Sequence, residues 1–172
     1  MTIPLAGAGG DWPRFNETDD PSIEAQITRD SCGPACARIV WRALNAFPLP
    51  THEELYERTG RTACNARALA TAMNECESIP IGGGNCWQGE FLDPPGDDFR
   101  ALLDLLADYT PWIAHLREPL VSLGHFLVVD TIGSHEVTVL DPWHPGTRYV
   151  MSLDSFADYW CLEVVWCRRI RL

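Results

Sequence analysis

Cys32 is the first cysteine of the run Asp30-Ser31-Cys32-Gly33-Pro34-Ala35-Cys36, with Gln26 six residues before it. A thiol with an amide donor just upstream is the residue set of a nucleophile with its oxyanion hole. Ser31 or Asp30 can cap a helix here, and Pro34 falls in a first turn, where a missing N–H costs nothing. Ala35, Ile39, Val40, Ala43, Leu44 and Phe47 then recur at helical spacing, so the pattern predicts a helix from Cys32 to Phe47. A thiol at that helix start faces unpaired backbone N–H groups and the positive end of the dipole, which favours the thiolate.

A thiolate needs a proton carrier, and His125 has the best surroundings of the five histidines. It opens the β-branched run His125-Phe126-Leu127-Val128-Val129, and a second strand pattern, Glu136-Val137-Thr138-Val139-Leu140-Asp141, follows close behind. Ile132-Gly133-Ser134 between them reads as a three-residue hairpin loop. That loop sets Leu127 opposite Val139, Val129 opposite Val137 and His125 opposite Asp141, all on one face. A carboxylate across from an imidazole can hold one ring nitrogen and leave the other for the thiol.

These residues, with Pro111-Trp112-Ile113-Ala114-His115, Gly124 ahead of His125 and Pro142 after Asp141, form an ordered set of four motifs. The set resembles the double-glycine leader peptidases, papain-like cysteine protease domains found at the front of bacteriocin exporters and, free-standing, among bacterial effector toxins. The likeness runs from about Gln26 to Trp160. It implies an α+β papain-like fold, an N-terminal helical lobe carrying the nucleophile packed on a C-terminal antiparallel sheet lobe. It also implies Gln26 as oxyanion donor, Cys32 as nucleophile, His125 as general base and acid, Asp141 as the group orienting it, and cleavage after Gly-Gly. Gly124 and Trp143 are the expected substrate-groove residues. By the same likeness a toxin of this kind travels with a cognate immunity protein. No transmembrane segment or nucleotide-binding domain follows, so an exporter is not expected.

Each residue also has a plainer reading. A lone cysteine on a core helix is ordinarily a small buried hydrophobe, which is the reading for Cys36. Company sets Cys32 apart. Asp141 before Pro142 suits a turn, and Trp143 suits packing or shielding of the His125–Asp141 hydrogen bond. His115, His135 and His144 read as structural or surface. Gly82-Gly83-Gly84 lacks the lysine and Ser/Thr of a phosphate-binding loop.

The chain of 172 residues, 46% hydrophobic, suits one domain. Residues 1–22 read as a flexible leader and 23–172 as the peptidase domain. Seven cysteines cannot all pair internally and show no metal-ligand spacing, which favours a reducing, cytoplasmic compartment and no cofactor, while the resemblance to effector toxins implies secretion or delivery into a target cell. A net charge of −11 disfavours nucleic acid and anionic membranes and favours basic or neutral protein partners.

Thr51-His52-Glu53-Glu54 is a capping box for a short helix stopped by Gly60. Asn65–Glu75 and Phe99–Tyr109, the latter capped by Asp97 or Asp98, read as helices, with a Gly/Pro-rich loop over 78–96. Strands are expected at 111–117, 124–131, 136–141, 146–151 and 162–170, with a helix capped by Ser152. The expected function is peptide-bond cleavage by a thiol. The alternatives are a glutamine deamidase or transglutaminase-like enzyme using the same residues, and a non-catalytic peptide-binding module.

Overall fold

The structure, a computed structural model, describes residues 10–77, 84–143 and 145–168. His144, Gly82 and Gly83, and residues 1–9 of the expected leader lie outside the described residues. Strand β1 (Phe15–Asp19) precedes helices α1 (Cys32–Ala43), α2 (His52–Arg58) and α3 (Ala66–Cys76). Next come β2 (Trp87–Phe91), α4 (Phe99–Ala107), β3 (Trp112–Leu116), β4 (His125–Ile132), β5 (Glu136–Asp141), β6 (Thr147–Ser152), α5 (Leu153–Tyr159) and β7 (Trp160–Cys167). The strands form one antiparallel sheet in the order β1-β6-β5-β4-β3-β7-β2. This is the expected α+β architecture.

Period-two alternation sends the sheet's side chains into two cores. Ile113, Phe126, Val128, Leu140 and Val165 meet Cys36, Val40, Leu69 and Met73 from α1 and α3. Trp112, Leu127, Val129, Val139, Tyr149 and Val164 meet Leu103 and Leu106 of α4 and Phe156 of α5 on the opposite face. The sheet is therefore covered on both sides, and α1 is clamped against β3 and β4.

Local chemistry explains most element ends. Thr51 and Glu54 make the reciprocal capping box, and Asn65, Asp98 and Ser152 each accept a first-turn N–H of α3, α4 and α5. α1 stops at Ala43, short of the expected Phe47. Asn45 takes a positive φ, its N–H bonds to Arg42 O and the Ala46 N–H bonds to Trp41 O. That is a Schellman stop with Asn in place of Gly, which apolar periodicity does not reveal.

Three further expectations are corrected. Residues 10–22, expected as flexible leader, are part of the fold: β1 pairs with β6, and Trp12 is only 3% exposed. Its strand residues are all exposed, so hydrophobic patterning gave no sign of it. The 78–96 stretch holds strand β2, which pairs along β7. Its Gly89 lies where a Cβ would sit 2.0 Å from Ala66 O, so glycine is required there by the close passage of α3.

The β4–β5 hairpin is offset by two residues from the expected register. Val128 pairs with Leu140 and Val129 with Val139, a bulge follows at Asp130, and Ile132 pairs with Val137. The loop is three residues long, as expected, but runs over 133–135, with the Gly133 N–H bonded to Glu136 O. On the site side of the bulge the offset is even and keeps each side chain on its face, so His125 and Asp141 remain on one side of the sheet as diagonal rather than direct neighbours.

Candidate active site

Cys32 is the first residue of α1, His125 the first of β4 and Asp141 the last of β5, so three element ends converge. The sulfur accepts the Phe126 backbone N–H at 3.5 Å, which places it beside the start of β4. His125 Nε2 and Asp141 Oδ1 are 2.6 Å apart, with both residues buried. Nδ1 of His125 is buried without a hydrogen-bond partner among the described residues, and the Cys32 thiol is close enough to raise the ring's affinity for its proton. The carboxylate half of the expected division of the imidazole is present in the geometry, and Nδ1 is left without a partner among those residues.

Electrostatics set the charge states. Burial alone would lower the His125 pKa, but the Asp141 charge and hydrogen bond, assisted by Cys32, outweigh it and raise it to about 10. Burial would raise Asp141. The His125 charge and hydrogen bond, then the Tyr149 hydroxyl and the Trp143 backbone N–H, instead hold it below the usual carboxylate range. Both shifts favour an imidazolium facing a carboxylate.

Neither expected cap serves α1. The Ser31 hydroxyl accepts the Ile27 and Thr28 N–H groups and donates to Thr28 O. Asp30 accepts the hydroxyls of Thr28 and Tyr56. With no side-chain cap, the helix start at Cys32 remains open to an anion.

Gln26 is buried and held near the same corner by its backbone N–H on Pro142 O, 2.7 Å away. Its side-chain amide nitrogen donates to the carbonyls of Thr28 at 2.9 Å and Arg29 at 3.2 Å. Its Oε1 has no partner among the described residues.

Gly124 lines two cavities that share Cys32. One of about 500 Å³ is bounded by Thr28, Arg29, Asp30, Ala63 and Leu123, and the other, of about 110 Å³, by Cys64, His115 and Phe126. A Cβ on Gly124 would sit 2.1 Å from His115 Nε2 and 2.7 Å from Leu116 O, so only glycine fits. His115 bonds Glu163 at 3.0 Å and stacks on Phe126, forming the floor beneath Gly124. His135 is exposed, away from the site. Trp143 presents its ring edge-on to His125 at 6.3 Å, and its backbone N–H bonds Asp141 Oδ1 at 2.8 Å. It packs against the dyad rather than lining either cavity.

Two site residues escaped the sequence reading. Tyr149 on β6 donates its hydroxyl to Asp141 Oδ2 at 2.7 Å. Trp12 donates Nε1–H to the Tyr149 oxygen at 2.9 Å and stacks on His125 with centroids 6.1 Å apart. Tyr149 faces Val139 across the β5–β6 ladder, a signal available only once β6 is paired in register. Trp12 carried no periodic signal at all. Among the described residues no group of three or more His, Cys, Asp or Glu side chains could hold a metal ion.

The fold is that of the double-glycine peptidase domains. It superposes on the peptidase domain of Streptococcus ComA, a bifunctional ABC transporter of a quorum-sensing pathway, with a TM-score of 0.61 and 19% identity over 88% of this chain and 100% of that one. It also matches a double-glycine motif protease of an AMS/PCAT transporter, solved with its leader peptide, at 0.56 and 14% over 88% and 91% of the two chains. In sequence it is 25% identical over 155 residues to Cysteine protease effector 1 of Escherichia coli O1:K1:H7. That match covers 90% of this chain and 28% of the relative, so the chain spans about a quarter of that protein's length. No protein-family model matches the chain.

Proposed function

We propose that the protein is a papain-like cysteine peptidase that cleaves a protein or peptide, with Cys32 as nucleophile, His125 as general base and acid, and Asp141 as the group orienting His125. The observation that carries this reading is the convergence of an uncapped helix start at Cys32 with the buried His125–Asp141 pair. The fold of the peptidase domains and the likeness to a cysteine protease effector support it.

In this reading the Cys32 thiolate attacks a peptide carbonyl lying in the cavity beside Gly124. The Cys32 backbone N–H receives the oxyanion. Gln26 adds its amide by releasing Arg29 O, the longer of its two contacts. The imidazolium then protonates the leaving amine, and His125 deprotonates the water that frees the acyl enzyme. A site floored by Gly124 and His115 and walled by Ala63 and Leu123 suits a substrate backbone without bulky side chains, which supports Gly-Gly as the cleavage point. The effector likeness favours a toxin over a leader peptidase, with a cognate immunity protein covering the cleft. Among the described residues no helix is long and apolar enough to cross a membrane.

The test is mass spectrometry of a peptide containing one Gly-Gly pair after incubation with wild type and Cys32→Ala. A new terminus after the second glycine in the wild type alone supports the reading. A gain of about one dalton at glutamine, with no cleavage, replaces it with deamidation. An unaltered peptide, together with an unaltered glutamine substrate, removes both.

A further inference from the structure

The segment ahead of Asp20 presents an oddity: every side chain of β1 is exposed, yet the strand is paired along β6. What the segment buries is Trp12. The indole lies over one face of His125 at an interplanar angle of 20° and meets Tyr159 edge-on. Arg14 sits over the Tyr149 ring at 5.5 Å.

The hydrogen-bond directions are constrained by chemistry. An indole N–H can only donate, so the Tyr149 oxygen accepts from Trp12 and its single proton must point onward. That proton goes to Asp141 Oδ2. Asp141 Oδ1 takes the Trp143 N–H and faces His125 Nε2. A protonated Asp141 would have to donate at one of these oxygens and would meet a proton already there. The chain from Trp12 to Tyr149 to Asp141 thus keeps the carboxylate ionised, which holds a His125 proton on Nε2 and leaves Nδ1, which has no hydrogen-bond partner among the described residues, for the thiol.

We infer that Trp12 is a positioning residue for the Cys32–His125 pair, delivered to it by β1, and that the N-terminal segment is a working part of the active site. The inference rests on the peptidase reading for its meaning, but its test does not depend on finding a substrate. The pH profile of Cys32 alkylation by iodoacetamide is measured on the full chain for wild type, Trp12→Phe, Tyr149→Phe and Phe15→Ser, with melting temperature recorded for each. Trp12→Phe keeps a stacked ring and loses the donor, and Tyr149→Phe loses the relay. Phe15→Ser alters an exposed β1 residue outside the site.

Both site variants are expected to move the acid limb of the profile to higher pH and to slow alkylation below neutrality by about tenfold, the scale of losing one hydrogen bond to a charged group. Phe15→Ser leaves the profile in place. Profiles that superpose on the wild type while only the melting temperature falls overturn the inference and leave Trp12 a packing residue. Should Trp12→Phe fail to fold, Tyr149→Phe decides the outcome alone. A wild type that alkylates with a defined profile yet cuts no Gly-Gly peptide contradicts the proposed function without touching this result.

Discussion

The site turns on two buried side chains whose charges depend on each other. His125 gains affinity for its proton on folding, from an ordinary 6.5 to about 10, so its contribution to stability is complete below 6.5 and is lost as pH rises through 10. Asp141 loses affinity for its proton, so its contribution is present above 3.8 and is lost as pH falls through its lower folded value. The melting-temperature gap between wild type and Asp141→Asn is therefore expected to be widest near pH 5–6 and to narrow steadily toward pH 10. A gap that widens over that range contradicts the ion pair. In activity, His125→Ala is expected to slow cleavage by about 10²–10⁴-fold. Glycine carries equal weight at Gly124, where Gly124→Ala drives a Cβ toward His115 and the Leu116 carbonyl. Steady-state kinetics of that variant are expected to show at least a tenfold loss of kcat/KM with the melting temperature lowered.

The helical elements were the most legible part of the sequence, because caps and periodicity act locally. The box at Thr51–Glu54, the Asp98 and Ser152 caps and the positive-φ stop at Gly60 all act within one turn. Strand pairing was less so. The bulge at Asp130 and the one-residue shift of the three-residue loop have no local signature, yet the His125–Asp141 contact survived since a two-residue offset on the site side of the bulge preserves the face. Strands β1 and β2 were missed for different reasons. β1 buries none of its own side chains, and β2 carries Gly89 in a Gly/Pro-rich stretch. The steric account of β2 is checked by Gly89→Val, whose Cβ would collide with backbone of α3 rather than a movable side chain. Thermal unfolding is expected to show a loss of about 1–3 kcal/mol or more. Near-neutral stability would mean that α3 and β2 separate easily.

At the scale of the molecule, the sheet acts as a partition, with α1–α3 supplying the sulfur from one face and the α4–α5 side holding the carboxylate, tyrosine and tryptophan behind the imidazole. The sulfur, the imidazole and the carboxylate come together where these faces meet, at the ends of α1, β4 and β5. Charge acts over longer distances. The chain carries −11 at neutral pH, so a lysine-flanked Gly-Gly peptide is expected to be cut with a higher kcat/KM than a glutamate-flanked one at low salt. The ratio should shrink toward one as salt shortens the screening length. Equal rates for the two peptides at every ionic strength would place the charge far from the cleft.

Trapping the acyl enzyme probes the core of this account most directly. Wild type mixed with a Gly-Gly peptide ester, quenched in acid within the first turnover and digested, should yield the Cys32 peptide heavier by the N-terminal fragment of the substrate. Cys32→Ala should yield neither adduct nor product. An adduct on Cys64, or cleavage that persists undiminished without Cys32, would contradict it.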